Sequence, residues 1–167
     1  MQNIIQEPKL QIGWREWVSL PELGIPAIKA KIDTGARTST LHAFLVETFQ
    51  ESGRQRVRFG VHPLEKRSDV RVFCIADLID RRIVTDSGGH HEQRHVISTA
   101  ICVGERQWPI EITLSNREEM RFRMLLGRTA LDGLVIDPGA SYCMGRSLAK
   151  EYEKLDKFEQ SFKKRDL

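Results

Sequence analysis

Asp33, Thr34 and Gly35 stand together in the run Ile28-Lys29-Ala30-Lys31-Ile32-Asp33-Thr34-Gly35-Ala36-Arg37, and these residue types suit acid–base chemistry. A carboxylate at the end of an apolar strand can take a proton from water or lend one to a leaving group. The Thr34 hydroxyl is short enough to lock the loop. Gly35 lacks a Cβ, so another chain can approach its backbone closely. Asp-Thr-Gly is also ordinary turn chemistry, and the tripeptide alone leaves both readings open.

Two further strings compete for the chemistry. His91-Glu92-Gln93-Arg94-His95 spells H-E-x-x-H, which on a helix would set two imidazoles on one face for zinc with Glu92 as base. The flanks argue for a strand instead. Asp86-Ser87-Gly88-Gly89 precedes the string and the β-branched Val96-Ile97-Ser98-Thr99 follows it. In a strand, residues four apart lie about 13 Å from each other and cannot share one ion. Asp86-Ser87-Gly88 could be a second catalytic acid, but too little chain separates it from Asp33 to build a second lobe. It reads as a hairpin turn, and as a candidate flap tip. No Gly-x-x-x-x-Gly-Lys-Ser/Thr phosphate loop is present, so no nucleotide site is read.

Beyond the Asp33 loop, the chain carries Met124-Leu125-Leu126-Gly127-Arg128-Thr129-Ala130-Leu131, an apolar run breaking at glycine into a short turn. Leu41-His42-Ala43, Trp108–Arg117 and Asp137-Pro138-Gly139-Ala140-Ser141-Tyr142 complete a set whose order resembles the retropepsin-like aspartic peptidases. It resembles in particular the branch labelled ATP-dependent zinc proteases, which is linked to ATP-grasp ligases that add glutamates to ribosomal proteins. The resemblance covers roughly residues 10–145. It implies that Asp33, Thr34 and Gly35 form the catalytic loop and that the Leu-Leu-Gly-Arg segment supports it from behind. Ala36, Arg37, Arg128 and Lys31 would then lie along the substrate.

One Asp-Thr-Gly per chain is half a catalytic centre, so the resemblance also implies a two-fold homodimer with both Asp33 side chains at the axis. Two carboxylates that close share a proton, one activating water while the other polarises the amide carbonyl. The activity expected is that of an aspartic-type peptidase or amide hydrolase without a cofactor. The alternatives are a zinc peptidase built on His91, Glu92 and His95, and a non-catalytic peptide-binding module of the same fold. The link to glutamate-adding ligases suggests an acidic peptide or glutamylated protein as substrate. Lys29, Lys31, Arg37 and Arg128 beside the loop would attract such a chain.

With 167 residues, 40% hydrophobic and 29% charged, the chain can bury a sizeable core unaided. A net charge of +3 is too small to imply direct nucleic-acid binding. No membrane-spanning run or leader pattern is seen. The scattered Cys74, Cys102 and Cys143 suggest reduced core thiols and a cytoplasmic protein.

The elements that must position the loop are mainly strands, expected at 10–19, 25–32, 40–49, 55–62, 70–76, 80–86, 94–103, 107–114, 121–126 and 134–136. Alternation puts Arg54, Arg56 and Arg58 on one strand face, solvated in the simplest reading. Leu148, Tyr152, Leu155, Phe158 and Phe162 trace one stripe of a helix over 147–164, capped by Ser147. That helix would pack on its own domain, or serve as a docking arm or dimer contact. The expected architecture is all-β: a single-lobe closed barrel of the acid-protease type over 10–145, with a C-terminal α-helix within 146–167.

Overall fold

The structure, a computed structural model, describes residues 8–154. In chain order its strands are β1 (Leu10–Gly13), β2 (Arg15–Leu20), β3 (Ile25–Ile32), β4 (Ser39–His42), β5 (Phe44–Glu51) and β6 (Arg54–Val61). There follow β7 (Val72–Thr85), β8 (His91–Val103), β9 (Arg106–Ser115), β10 (Met124–Leu126) and β11 (Leu134–Asp137). Strands β2-β3-β10-β4-β9-β8 are hydrogen-bonded in that order, and a bridge between Ser19 and Cys102 returns β8 to β2. The result is a closed six-stranded barrel. Beyond β8 the sheet continues outward through β7 and β6 to β5.

Alternation fixes which side chains enter the barrel. Along β3, Ile28 and Ala30 are fully buried, whereas Lys29 is half-buried and Lys31 exposed. Val18, Leu41, Ile97, Ile101, Ile112, Met124 and Leu126 meet Ile28 in one apolar cluster. Fully burying one such aliphatic side chain is worth about 1.5–3 kcal/mol, so the barrel interior dominates the stability. Outside it, Trp17, Ala27 and Tyr152 form a smaller cluster joined by Leu64 and Leu148.

Several element boundaries differ from those the sequence suggests. The two strands expected at 70–76 and 80–86 are one long β7. Its first half pairs with β6 and its second with β8, the change-over falling at a register shift between Leu78 and Asp80. The run 10–19 breaks at Trp14, whose N–H donates to the Ala140 carbonyl at 2.9 Å. The run 40–49 breaks at Ala43, after which Leu45 takes φ +50° and the pairing shifts register. The expected strand 121–126 is trimmed to Met124–Leu126. Of the helix expected over 147–164, residues Ser147–Lys150 are a 3-10 turn, and residues from 155 onward lie outside the described residues. Its first apolar side chains, Leu148 and Tyr152, pack on the domain itself, with the Tyr152 hydroxyl donating to the Ala27 carbonyl.

The arginine stripe on β6 does share one face, and carboxylates neutralise it. Arg54 and Arg56 reach Asp77, each at 3.3 Å, and Arg58 reaches Glu47 at 2.9 Å. More consequential is Glu16, which is fully buried. Its carboxylate accepts the N–H groups of Gly13, Cys143 and Met144 at 2.8–2.9 Å. A buried charge is tolerable only with such partners, and here they pin the 140–145 loop to the β1–β2 junction. No helix among the described residues is long and apolar enough to cross a membrane.

His42 is fully buried at the end of β4, and its Nδ1 accepts the Arg117 N–H at 3.1 Å. Burial, and then the Arg123 guanidinium, hold its pKa below the ordinary 6.5; burial does the same to His62 and His95. The folded state therefore binds fewer protons than the unfolded chain once pH drops under 6.5, and stability must fall with acidification there. We expect the melting temperature to be flat above that pH and to decline below it. His42→Asn, whose amide oxygen can still accept the Arg117 N–H, should flatten the decline in a thermal-melt series.

Candidate active site

Asp33 follows directly on β3, and its own N–H extends the ladder by donating to the Leu126 carbonyl at 2.9 Å. The chain then turns: the Ala36 N–H reaches back to the Asp33 carbonyl at 3.3 Å, and β4 begins at Ser39. Between β3 and β4 lies β10, parallel to the first and antiparallel to the second. Its continuation passes behind the loop and is stitched to it. Arg128 N–H donates to the Ala36 carbonyl at 2.9 Å, and Thr129 N–H to the Arg37 carbonyl at 3.0 Å. Gly127 N–H donates to Ser39 Oγ at 3.1 Å, and the Arg128 guanidinium caps the Thr34 carbonyl at 2.9 Å. The Leu-Leu-Gly-Arg segment is thus a brace for the Asp33 loop.

The functional groups on this frame are accessible. Asp33 is half-buried, and one carboxylate oxygen accepts the Gly35 N–H at 3.0 Å. Its second oxygen makes no hydrogen bond among the described residues, and neither does the exposed Thr34 hydroxyl. Thr34, Arg37, Arg128 and Thr129 border an open depression of about 760 Å³, which Lys9 and Leu134 also line. Among the described residues, Asp132 is the one carboxylate in its wall. Arg37 and Arg128 therefore sit together beside the loop, and Ala36 is half-buried behind it. Lys31 is exposed on the preceding strand, outside the depression's wall. Lys29 does not join them: its ammonium lies 5.5 Å from the centre of the Trp17 ring.

The rival constellations dissolve on inspection of their backbone. Residues 91–95 belong to β8, so His91 and His95 are held about 13 Å apart by strand geometry. Glu92 is engaged by Arg94 at 2.8 Å and by the Ser115 hydroxyl. No cluster of three or more His, Cys, Asp or Glu able to hold a metal occurs among the described residues. Asp86 caps a hairpin turn by accepting the N–H groups of Gly88 and His90, both at 2.9 Å, which hold its carboxyl below its usual pKa. Gly89, at φ +82°, completes that turn. The turn is no flap over Asp33. Register across β10, β4, β9 and β8 carries the 86–90 tip toward the opposite end of the strands.

The model of the RimB-like family, described as the retropepsin-like aspartic endopeptidase RimB, matches residues 11–147. The chain belongs to this family. Curated relatives named "Probable alpha-L-glutamate ligase" are similar as well. One from Desulfotalea psychrophila is 50% identical over 86% of this chain, and one from Parasynechococcus marenigrum is 45% identical over 82%. The chain spans about a third of the length of these relatives, 32% and 30% respectively. Among solved structures, a Legionella pneumophila protein of unknown function superposes with a TM-score of 0.66 at 24% identity. The match covers 81% of this chain and 98% of the other, and it shows a shared fold.

Gly127 shows how tightly brace and loop are packed. A Cβ there would lie 2.6–2.9 Å from Thr38 backbone atoms, with no flexible side chain to yield. Gly127→Ala is expected to cost about 1–3 kcal/mol, read as a lowered denaturation midpoint with an unchanged slope.

Proposed function

We propose that this protein is an aspartic-type amide hydrolase in which Asp33 is the catalytic carboxylate. The observation carrying this reading is the Asp33 loop, held by its Leu126–Thr129 brace while one carboxylate oxygen is left without a partner among the described residues. A single chain offers one such carboxylate, so the reactive unit is a two-fold homodimer that brings two Asp33 side chains together. The unbonded Thr34 hydroxyl and the exposed Gly35 backbone supply the contact surface. In the pair, the ionised carboxylate takes a proton from water as its oxygen attacks the amide carbon. The protonated partner hydrogen-bonds the carbonyl oxygen, and a proton then passes to the nitrogen as the C–N bond breaks.

The substrate we infer is an acidic chain, such as the glutamate-rich tail of a ribosomal or other cytoplasmic protein. Two observations support it: the Arg37 and Arg128 pair beside the loop, and the similarity to relatives named for ligating glutamate. Free Cys74, Cys102 and Cys143 accord with a reducing cytoplasm. No cofactor takes part, and Arg128, Arg37, Ala36 and Lys31 contact the substrate.

The test is mass spectrometry of a glutamylated peptide incubated with wild type and with Asp33→Asn, whose fold is checked by circular dichroism. Wild type should shorten the acidic tail. Asp33→Asn should lose about a thousandfold or more of that rate, and chelation should leave wild type unaffected. Tail shortening by a folded Asp33→Asn at the wild-type rate would exclude Asp33 as the catalytic group. Binding without any hydrolysis would leave a peptide-binding module.

A further inference from the structure

A second cationic feature lies on the other side of the Asp33 strand. Arg15 opens β2 directly opposite Lys31 in β3, while the Trp14 carbonyl accepts the Ile32 N–H at 2.9 Å. The Arg15 guanidinium carbon lies 4.5 Å from the centre of the Trp14 ring and 4.9 Å from that of Tyr142. Tyr142 in turn carries Arg146 at 4.5 Å. The stack is deliberately braced. Tyr142 sits at φ +53°, a costly conformation for a residue with a side chain. It is held there by its N–H to the Arg15 carbonyl, and by the buried Glu16 carboxylate gripping Cys143 and Met144 next to it.

No carboxylate of the described residues pairs with this stack. Arg15 is half-buried, yet its guanidinium makes one hydrogen bond among the described residues, from Nε to Ser141 Oγ at 3.2 Å. Both terminal nitrogens are left without a partner there. Of the other shielded arginines, Arg56 has Asp77, Arg82 has Glu111 and Arg94 has Glu92, whereas Arg106 and Arg123 reach only the Pro8 and Glu118 carbonyls among the described residues. Of the nearby acids, Glu16 is taken by three amides, Asp137 by the Gly139 N–H and one Asp33 oxygen by the Gly35 N–H, and none of them pairs with Arg15 among the described residues. Lys31, facing Arg15 across the strand pair, makes no ion pair among the described residues either. Like charges directly opposite on a sheet are destabilising, unless something negative binds between them.

We propose that Arg15, clamped between Trp14 and Tyr142 with Lys31 opposite, is a carboxylate-binding subsite that selects acidic side chains of the substrate. Ring stacking fixes the guanidinium plane at little entropic cost and leaves its outer edge free for two parallel hydrogen bonds to a carboxylate. Lys31 is about 7 Å along the strand from Asp33, and Arg15 is one strand spacing further. An extended chain would therefore place a glutamate about two or three residues from the scissile bond on Arg15. The subsite rests on the acidic-substrate reading given above, and binding measurements separate the two.

The experiment titrates fluorescein-labelled hexaglutamate against Asp33→Asn protein by fluorescence anisotropy at low salt, with Arg15→Gln added to the same background. Arg15→Gln should weaken binding about tenfold. Arg81→Gln, which removes the same charge on the β7–β8 hairpin, should leave binding unchanged. Equal affinity with and without Arg15, an equal loss from Arg81→Gln, or no hexaglutamate binding at all would each overturn the subsite. Asp33-dependent hydrolysis of neutral peptides alongside any of those results would leave the catalytic reading standing. Arg15-dependent binding without hydrolysis would do the reverse.

Discussion

The candidate site depends on the hydrogen bonds between the 33–38 loop and the segment 126–129. Two chain segments almost a hundred residues apart in sequence are fastened there through backbone groups: Asp33 to Leu126, Ala36 to Arg128 and Arg37 to Thr129. Main-chain fastening fixes position without using side chains, so Asp33, Thr34 and Arg37 are released to face outward. The contact tolerates no Cβ at Gly127, and it ends β10 at the point where the loop needs its support. The barrel serves this junction by seating Leu126 and Met124 in the core, so that the brace cannot slide relative to β3 and β4.

Charge is distributed around that junction in two regimes. On the outlying β5–β7 sheet, arginines face carboxylates and are neutralised. Around the Asp33 loop, Arg37 and Arg128 border an open depression, while Arg15 and Lys31 stand opposite each other. The buried Glu16 belongs to the second regime only indirectly. It is consumed by three backbone amides, and it secures the loop that carries Tyr142. Cations so placed beside a free carboxylate oxygen are what the proposed acidic substrate requires.

The sequence discloses some of this and conceals the rest, for physical reasons. The Asp33 loop and its brace are legible because glycine, acid and apolar run each have a local signature. The strand identity of 91–95 is legible because β-branched neighbours outweigh a motif borrowed from helices. Strand ends are less so: whether 70–86 is one strand or two depends on β7 having different partners along its length, which no local pattern records. The hairpin turn at 86–89 is read correctly, but which end of the barrel it reaches is set by register. Glu16 and Arg15 are hard to single out in the sequence because a buried acid and a stacked arginine look like surface charges until the 140–145 loop folds over them. The alternating Arg15-Glu16-Trp17 is their one signal, an acid on the core side of a strand. The place of Lys29 apart from the site is hidden because alternation gives its face but not the Trp17 ring beside it.

The central claim is that one chain holds half of a catalytic centre whose carboxylate is Asp33. Its most direct measurement is the hydrolytic rate of mixed dimers, made by co-refolding wild type with Asp33→Asn in varied ratios at constant total protein. If both carboxylates are needed, the rate follows the square of the wild-type fraction, and an equal mixture retains about a quarter of full activity. A rate linear in that fraction, with about half the activity at equal mixing, would mean that each chain acts alone and would contradict the account.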